Sequence, residues 1–344
     1  MKIDNFDLEK RIMIVAEIGN NHEGDFALAQ DLIGLAAEAG AHAVKFQTFR
    51  AEELVSRRER DRFARLKSFE LSPEQFEQLA ALASDAGVLF LSTPLDLPSA
   101  AVLRPLVSAF KIASGDNTFV PLLQAVAETG KPIILSSGLA TIDELRASVT
   151  MIKRIWAANA IDQELAILHC VSSYPVPSQE ANLGAIQHLR EVFGCTVGYS
   201  DHTIGIDAAA LSVALGARIV EKHFTIDNNY SDFRDHQLSA DPTRFRELVQ
   251  RIESITTLIG NGKKEPQASE QAGRESMRRS IAARCDLPAG TVIIADDLTW
   301  VRPAGGIEPG NENLVLGRTL IRNVAAGDHI LSSMLTNRQY ATMS

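Results

Sequence analysis

The amino-acid sequence predicts a (β/α)8 TIM barrel followed by a small β-rich domain. Three observations predict it. Eight short apolar runs are each followed by a longer helix-like stretch. The runs are almost continuously apolar, as parallel strands covered on both faces are. Eight such pairs in about 250 residues match the length of a barrel, and the remainder of the 344 residues fits one further small domain.

The elements follow in order. IMIVAEIG (12–19) is the first run, and a helix follows from Phe26 to Ala39. AVKFQTF (43–49) comes next, with a short loop after it running into RRERDRFARLKSFELSPEQF. Ser72-Pro73 is a cap and first-turn pair that opens a helix. VLFLSTP (88–94) precedes a short helical piece from Pro98. AFKIAS (109–114) leads into a helix over 119–129. PIILSSG (132–138) is followed by Thr141 with Glu144 three residues on, a capping-box pattern. LAILHCV (165–171) and TVGYSD (196–201) continue the alternation. IVEKHFT (219–225) is the eighth run, and Pro242 opens a helix to Leu258. A doubly wound sheet is the competing fold. No Gly-x-Gly-x-x-Gly follows the first strand, which weakens its dinucleotide-binding form.

The barrel is assigned to 1–259. Residues 260–277 are polar, charged and without β-branched apolar runs, as in a linker. The tail domain is assigned to 278–344, with short β-like pieces SIAARCDL, TVII, LTWVRP and TLIRNV. So small a piece buries little alone, so it is expected to pack against something.

Composition limits the function. Net charge is −9, so nucleic acid and anionic membranes are not expected partners. Three cysteines, Cys170, Cys195 and Cys285, suit a reducing cytoplasm better than a disulfide framework. Cys170 and Cys195 read as small core residues. The charged start MKIDNFDLEKR lacks the apolar stretch of a signal peptide.

Polar residues cluster toward the carboxyl ends of the predicted strands, where barrel chemistry is done. They are Glu17; Lys45 and Gln47; Ser92 and Thr93; Lys111, Ser114 and Asp116; and Ser136 and Ser137. The later strands add His169, Ser172 and Tyr174; Ser200, Asp201 and His202; and Glu221, Lys222 and His223. A lysine in an apolar strand needs an anion or a carboxylate beside it. Lys45 and Lys111 among hydroxyls therefore suggest a pocket for phosphate plus carboxylate. Glu17 is either a general base or a lysine partner. His202 and His223 end consecutive strands, where they are either two unrelated satisfied histidines or a pair within reach of one divalent ion with open positions.

The motifs AEIGNNHEGD, KFQTF, STP, KIASGD, LSSG, HCVSSYPVP, GYSDHT, EKHFT and RDHQLS resemble the N-acetylneuraminate (sialic acid) synthase family. The tail resembles that family's antifreeze-like SAF domain. The resemblance implies condensation of phosphoenolpyruvate with an N-acylated sugar to a sialic-type acid. Lys45, Thr93, Lys111, Ser114, Ser136 and Ser200 would hold phosphoenolpyruvate. Gln47, Asp116, Tyr174 and Asp235 would contact the sugar, and Arg302 its N-acyl group. His202 and His223 would bind a divalent metal, manganese first, with magnesium or cobalt as substitutes. Glu17 would orient or deprotonate water. A domain-swapped homodimer is implied, each tail covering the partner's barrel. Ser172 departs from an asparagine of the family, and Asp116 from a glutamate. N-acetylmannosamine is the default sugar, and a diamino-dideoxy hexose leading to a legionaminic-type acid is its rival. A pseudaminic-type sugar fits the motifs less well. The competing reactions are a synthase acting on a phosphorylated sugar and a Schiff-base sialic acid aldolase. The first needs extra basic residues, and no obvious set stands out. A non-catalytic ice- or carbohydrate-binding scaffold would not need two lysines and two histidines at one barrel end.

Overall fold

The computed structural model describes residues 1–336. The final residues of the expected tail domain, 337–344, lie outside the described residues. The chain divides into a unit spanning Met1–Gly260 and a second beginning at Asn261.

In the first unit eight parallel strands close into a barrel. They are preceded by a hairpin of β1 (Lys2–Ile3) and β2 (Phe6–Asp7). The barrel strands are β3 (Met13–Gly19), β4 (Ala43–Thr48), β5 (Leu89–Pro94), β6 (Phe110–Ile112), β7 (Ile133–Ser136), β8 (Leu165–Cys170), β9 (Thr196–Asp201) and β10 (Ile219–His223). β10 pairs with both β9 and β3, which closes the ring.

Alternate residues along each strand face opposite sides. Outward residues such as Ile14, Val44, Phe46, Phe110 and Val220 join the layer beneath the helices. Inward residues begin apolar: Met13, Val15, Ala43, Leu91, Ile134, Leu168 and Ile219 form a second core with Ile3, Phe6 and Leu8 of the hairpin. The hairpin, unmarked in the sequence, thus packs into the lower interior. One step further along each strand the inward residues turn polar, which places the site.

The helices α1 (Phe26–Glu38), α2 (Ala51–Leu54), α3 (Arg60–Phe69), α4 (Pro73–Asp85), α5 (Leu97–Leu103), α6 (Val120–Ala127) and α7 (Ile142–Ala158) cover the first half. α8 (Ala185–Phe193), α9 (Asp207–Ala214), α10 (Arg234–Leu238) and α11 (Pro242–Ile259) complete the unit. Their starts follow side-chain capping. Ser72 with Gln75 and Thr141 with Glu144 form capping boxes. Asp25, Asp96 and Asp241 cap α1, α5 and α11. The expected short loop after β4 is instead an insertion folded as α2 and α3. Lys67 ties the two together through Glu52 and Glu70, at 3.1 and 2.8 Å.

The second unit opens with α12 (Gln271–Met277), so the expected linker is partly helical. Its sheet pairs β11 (Ser280–Ala283) antiparallel with β12 (Leu298–Val301). Ile281, Leu287, Ile293, Val315, Leu320 and Ile330 form its own small core. Among the described residues, no helix is long and apolar enough to cross a membrane.

Candidate active site

The inward residues at the carboxyl ends of the strands line one cavity of about 650 Å3. Thirteen of the sequence-predicted site residues stand around it: Glu17, Lys45, Gln47, Thr93, Lys111, Ser114, Asp116, Ser136, Tyr174, Ser200, His202, His223 and Asp235. Arg302 belongs to the second unit, where it is exposed just after β12.

The floor is a charge cluster. Lys45 Nζ lies 2.9 Å from Glu17 Oε2, 3.1 Å from Thr93 Oγ1 and 3.7 Å from Glu221 Oε2. Lys111 Nζ donates to Ser136 Oγ at 2.7 Å and lies 3.7 Å from Glu221 Oε1. Ser200 Oγ donates to Glu221 Oε1 at 2.8 Å. All four charged groups are at most 5% exposed. Burial acts against the Lys45 ammonium, but Glu17 and Glu221 outweigh it and hold its pKa above the ordinary value. Burial lowers the pKa of Lys111, and Glu221 opposes the shift only in part. For Glu221, burial is outweighed by Lys111 and Lys45, and its pKa falls. Burial raises that of Glu17, against Lys45 and with Glu221. The sequence alternatives for Glu17 are thus not exclusive: it pairs with Lys45 and faces the cavity.

Beside the floor stand two imidazoles, with ring centres 5.3 Å apart. His202 Nδ1 meets the Val171 carbonyl at 2.9 Å, which assigns its proton to Nδ1 and frees Nε2. His223 Nδ1 is buried without a hydrogen-bond partner. Burial, then His202, holds the His223 pKa well below the ordinary value, so its imidazole is neutral as a ligand must be. Burial acts against the His202 imidazolium, but Cys170 and the Val171 carbonyl outweigh it and raise its pKa, so His202 must give up a proton to act as a ligand. Two imidazole donors fit a divalent ion of borderline softness. Among the described residues, no set of three His, Cys, Asp or Glu groups stands in a metal-holding arrangement. The two imidazoles alone would fill only part of a coordination sphere.

Toward the mouth, Gln47 Nε2 donates to Glu17 Oε1 at 3.2 Å and Asn20 Nδ2 donates to Gln47 Oε1 at 2.9 Å. Gly19 adopts φ +54°, and a Cβ there would stand 3.1 Å from Glu17 Oε1. The Tyr174 ring lies 4.2 Å from His202, with the Arg234 guanidinium 4.7 Å from its centre. Asp235 Oδ1 is buried without a hydrogen bond, 3.3 Å from Arg234 Nε. Asp116 follows β6 in a 3-10 turn, and burial pushes its pKa up to about 6.

Several strand-end residues face away from the cavity. Ser92 Oγ is held by Thr48 and the Phe46 carbonyl on the outer face. Asp201 and Lys222 pair at 2.9 Å in the fully buried outer layer. His169 bonds the Ala181 carbonyl at 2.8 Å and stacks on Tyr199. Ser172 Oγ is buried and unpaired beside Ser114 Oγ, and a Cβ at Gly138 would collide with both hydroxyls. Cys170, read as a core residue, is buried but on the cavity face, with Sγ 3.7 Å from His202 Nδ1.

Other lining residues carried no expected role. Glu221 is the shared partner of both lysines, and its signal was the period-two phase that puts it on the face of His223. Asn20 stood unread within the NNH motif. Arg62, Arg65 and Phe69 of α3 and Arg234 of α10 also line the cavity. Arg62 and Arg65 lie in the segment expected to be a short loop, so the sequence did not place them at the cavity.

The NeuB-family profile matches residues 32–264. The chain belongs to the NeuB family. The SAF-domain profile matches 278–336. The chain is 40% identical over 332 residues to the N,N'-diacetyllegionaminic acid synthase of Legionella pneumophila, covering 92% of this chain and 93% of that one. It is 30% identical over 339 residues to human N-acetylneuraminate-9-phosphate synthase, with 94% and 92% covered. Among solved structures, it resembles the N-acetylneuraminic acid (sialic acid) synthetase of Leptospira borgpetersenii in complex with citrate. There the TM-score is 0.72 at 39% identity, covering 76% of this chain and 90% of that one. As a NeuB-family member, the chain is an enzyme of the synthase type that condenses phosphoenolpyruvate with a sugar to a nonulosonic acid.

Proposed function

We propose that the sugar is a 2,4-diacetamido-dideoxy hexose, that the product is a legionaminic-type acid, and that a divalent metal, manganese first, assists. The observation that carries the chemistry is the floor: two buried lysines among Thr93, Ser136 and Ser200, with two imidazoles beside them. What favours the diacetamido acceptor is 40% identity to the Legionella synthase against 30% to the human enzyme. N-acetylmannosamine is the comparison substrate.

Lys45 and Lys111 hold the phosphate and carboxylate of phosphoenolpyruvate, with Thr93, Ser114, Ser136 and Ser200 donating hydrogen bonds. Gln47, Asp116, Tyr174 and Asp235 orient the open-chain sugar above it. His202 and His223 would hold the metal, which supplies polarisation of the sugar aldehyde when bound. C3 of phosphoenolpyruvate bonds to the aldehyde carbon, whose oxygen takes a proton. Water adds at C2, and the bond from C2 to the phosphate oxygen breaks. Glu17, placed between Lys45 and Gln47, orients that water and receives its proton.

The reading extends to a homodimer in which each SAF domain covers the partner's barrel and brings Arg302 to the sugar. Exposed apolar residues support a covered face on each unit. Phe119, Val120, Leu139 and Ile204 follow β6, β7 and β9 on the cavity side, and Val292, Ile294 and Ile321 lie on the second unit. Three free thiols suit a cytoplasmic site of action.

The test is phosphate release from phosphoenolpyruvate with manganese, run with each sugar. Release that depends on the diacetamido hexose is expected. Equal or greater kcat/KM with N-acetylmannosamine would overturn the acceptor assignment. Arg302→Ala is expected to raise KM for the sugar and not for phosphoenolpyruvate.

A further inference from the structure

The floor of the cavity carries no net charge, because the Lys45 and Lys111 ammoniums stand against the carboxylates of Glu17 and Glu221. It offers hydrogen-bond donors to an anion, but little long-range attraction. The chain as a whole carries −9, which repels a multiply charged substrate. Cations elsewhere on the cavity wall must supply the attraction.

Among the described residues, the other lining cations are Arg62, Arg65 and Arg234. Arg234 is engaged, with Nε 3.3 Å from Asp235 and its guanidinium over Tyr174. Arg62 and Arg65 differ. Neither guanidinium has a hydrogen bond or ion pair among the described residues, although Lys67 on the same helix has two carboxylate partners. The two arginines stand three residues apart on α3, with Leu66 and Phe69 completing the cavity-lining face. Phe69 fixes the helix by an edge-on contact with Phe233 at 5.3 Å. The carboxylates of Asp116, Asp232 and Asp235 line the same cavity, yet Arg62 and Arg65 pair with none of them.

We infer that Arg62 and Arg65 form an outer phosphate-binding subsite at the cavity, separate from the lysine floor. Each guanidinium presents the paired N–H geometry that phosphate oxygens accept, and the two stand one helical turn apart on the cavity wall. The phosphate can come from two sources. It is carried by phosphoenolpyruvate on its way to the floor, or by a phosphorylated acceptor sugar whose far end points outward. The inference rests on the proposed function only in naming the first source; the second is the acceptor of the competing phosphorylated-sugar reading.

The direct test titrates inorganic phosphate into the full chain, followed by phosphorus NMR, and needs no turnover. In Lys111→Ala, which weakens the floor, adding Arg62→Gln and Arg65→Gln is expected to weaken the remaining phosphate binding about five-fold, since exposed charge contacts contribute roughly 0.5 kcal/mol each. Unchanged affinity would overturn the subsite. The arginine pair is also changed alone, at exposed helical positions that accept glutamine, so the test survives a Lys111 variant that does not fold. If phosphoenolpyruvate is the source, its kcat/KM falls about five-fold at low salt and loses salt dependence. If the acceptor is the source, the variant instead loses preference for a 6-phosphorylated hexosamine over the unphosphorylated sugar. No change in either, with unchanged phosphate binding, rejects the proposal whether or not the condensation is right.

Discussion

Glu221 Oε1 lies 3.7 Å from Lys111 Nζ, on a strand that does not neighbour the one carrying the lysine, across the interior of the barrel. Its other oxygen is at the same distance from Lys45. One carboxylate thus serves two buried ammoniums, and the consequences can be measured.

Removing it leaves uncompensated buried charge, which costs about 3–5 kcal/mol. Glu221→Ala is expected to melt well below the parent chain. Inorganic phosphate, as a replacement anion, should raise the variant's Tm more than the parent's. Thermal denaturation with and without phosphate checks this. An equal rise in both would show that the lysines do not depend on Glu221.

The Asp116 carboxyl, pushed by burial to a pKa of about 6, is expected to leave its mark on catalysis. It is neutral below that value and charged above it. As a hydrogen-bond acceptor for the sugar it works better charged, so kcat/KM for the sugar should rise through pH 6. Asp116→Asn should remove that limb. A pH profile of the free enzyme decides it, and an unchanged profile assigns the ionisation elsewhere.

Acid should destabilise the fold through His22. Burial holds its pKa at about 4, against Asp25 and Glu23, and its Nδ1 accepts from the Gly24 amide at 3.0 Å. The folded pKa lies below the unfolded value of about 6.5, so the unfolded chain takes up the proton first. The contribution is complete above pH 6.5 and is lost as pH falls toward 4, up to about 3 kcal/mol. Urea midpoints across that range should fall, and the slope should lessen in His22→Gln.

Chelation should abolish turnover, and added manganese should restore it in the parent chain but not in His202→Ala or His223→Ala. Circular dichroism should show the barrel intact in both. Full turnover after exhaustive chelation would remove the metal from the reading.

The sequence made the barrel legible because both faces of its strands are covered, so eight apolar runs stood out against polar helices. The site was legible wherever a polar residue interrupted such a run, as at Lys45 and Lys111. What hid was of three kinds. The hairpin has strands too short to show a period, although Ile3 and Phe6 are buried. Helix α3 is so rich in arginine that its apolar positions, Phe63, Leu66 and Phe69, did not register as a stripe. At strand ends, residue type alone did not say which side chain faces the cavity. Asp201 and Lys222 looked as functional as Ser200 and Glu221, yet they seal the outer wall.

That outer pair has a consequence for assembly of the ring. Glu221 and Lys222 are successive residues of the closing strand, and each is matched to an opposite charge on its own side. Shifting β10 by one residue would carry Lys222 in among two other lysines and drive Glu221 against Asp201. The last strand therefore has an electrostatic lock on its alignment, and a slip of one residue in either direction leaves its buried charges unanswered.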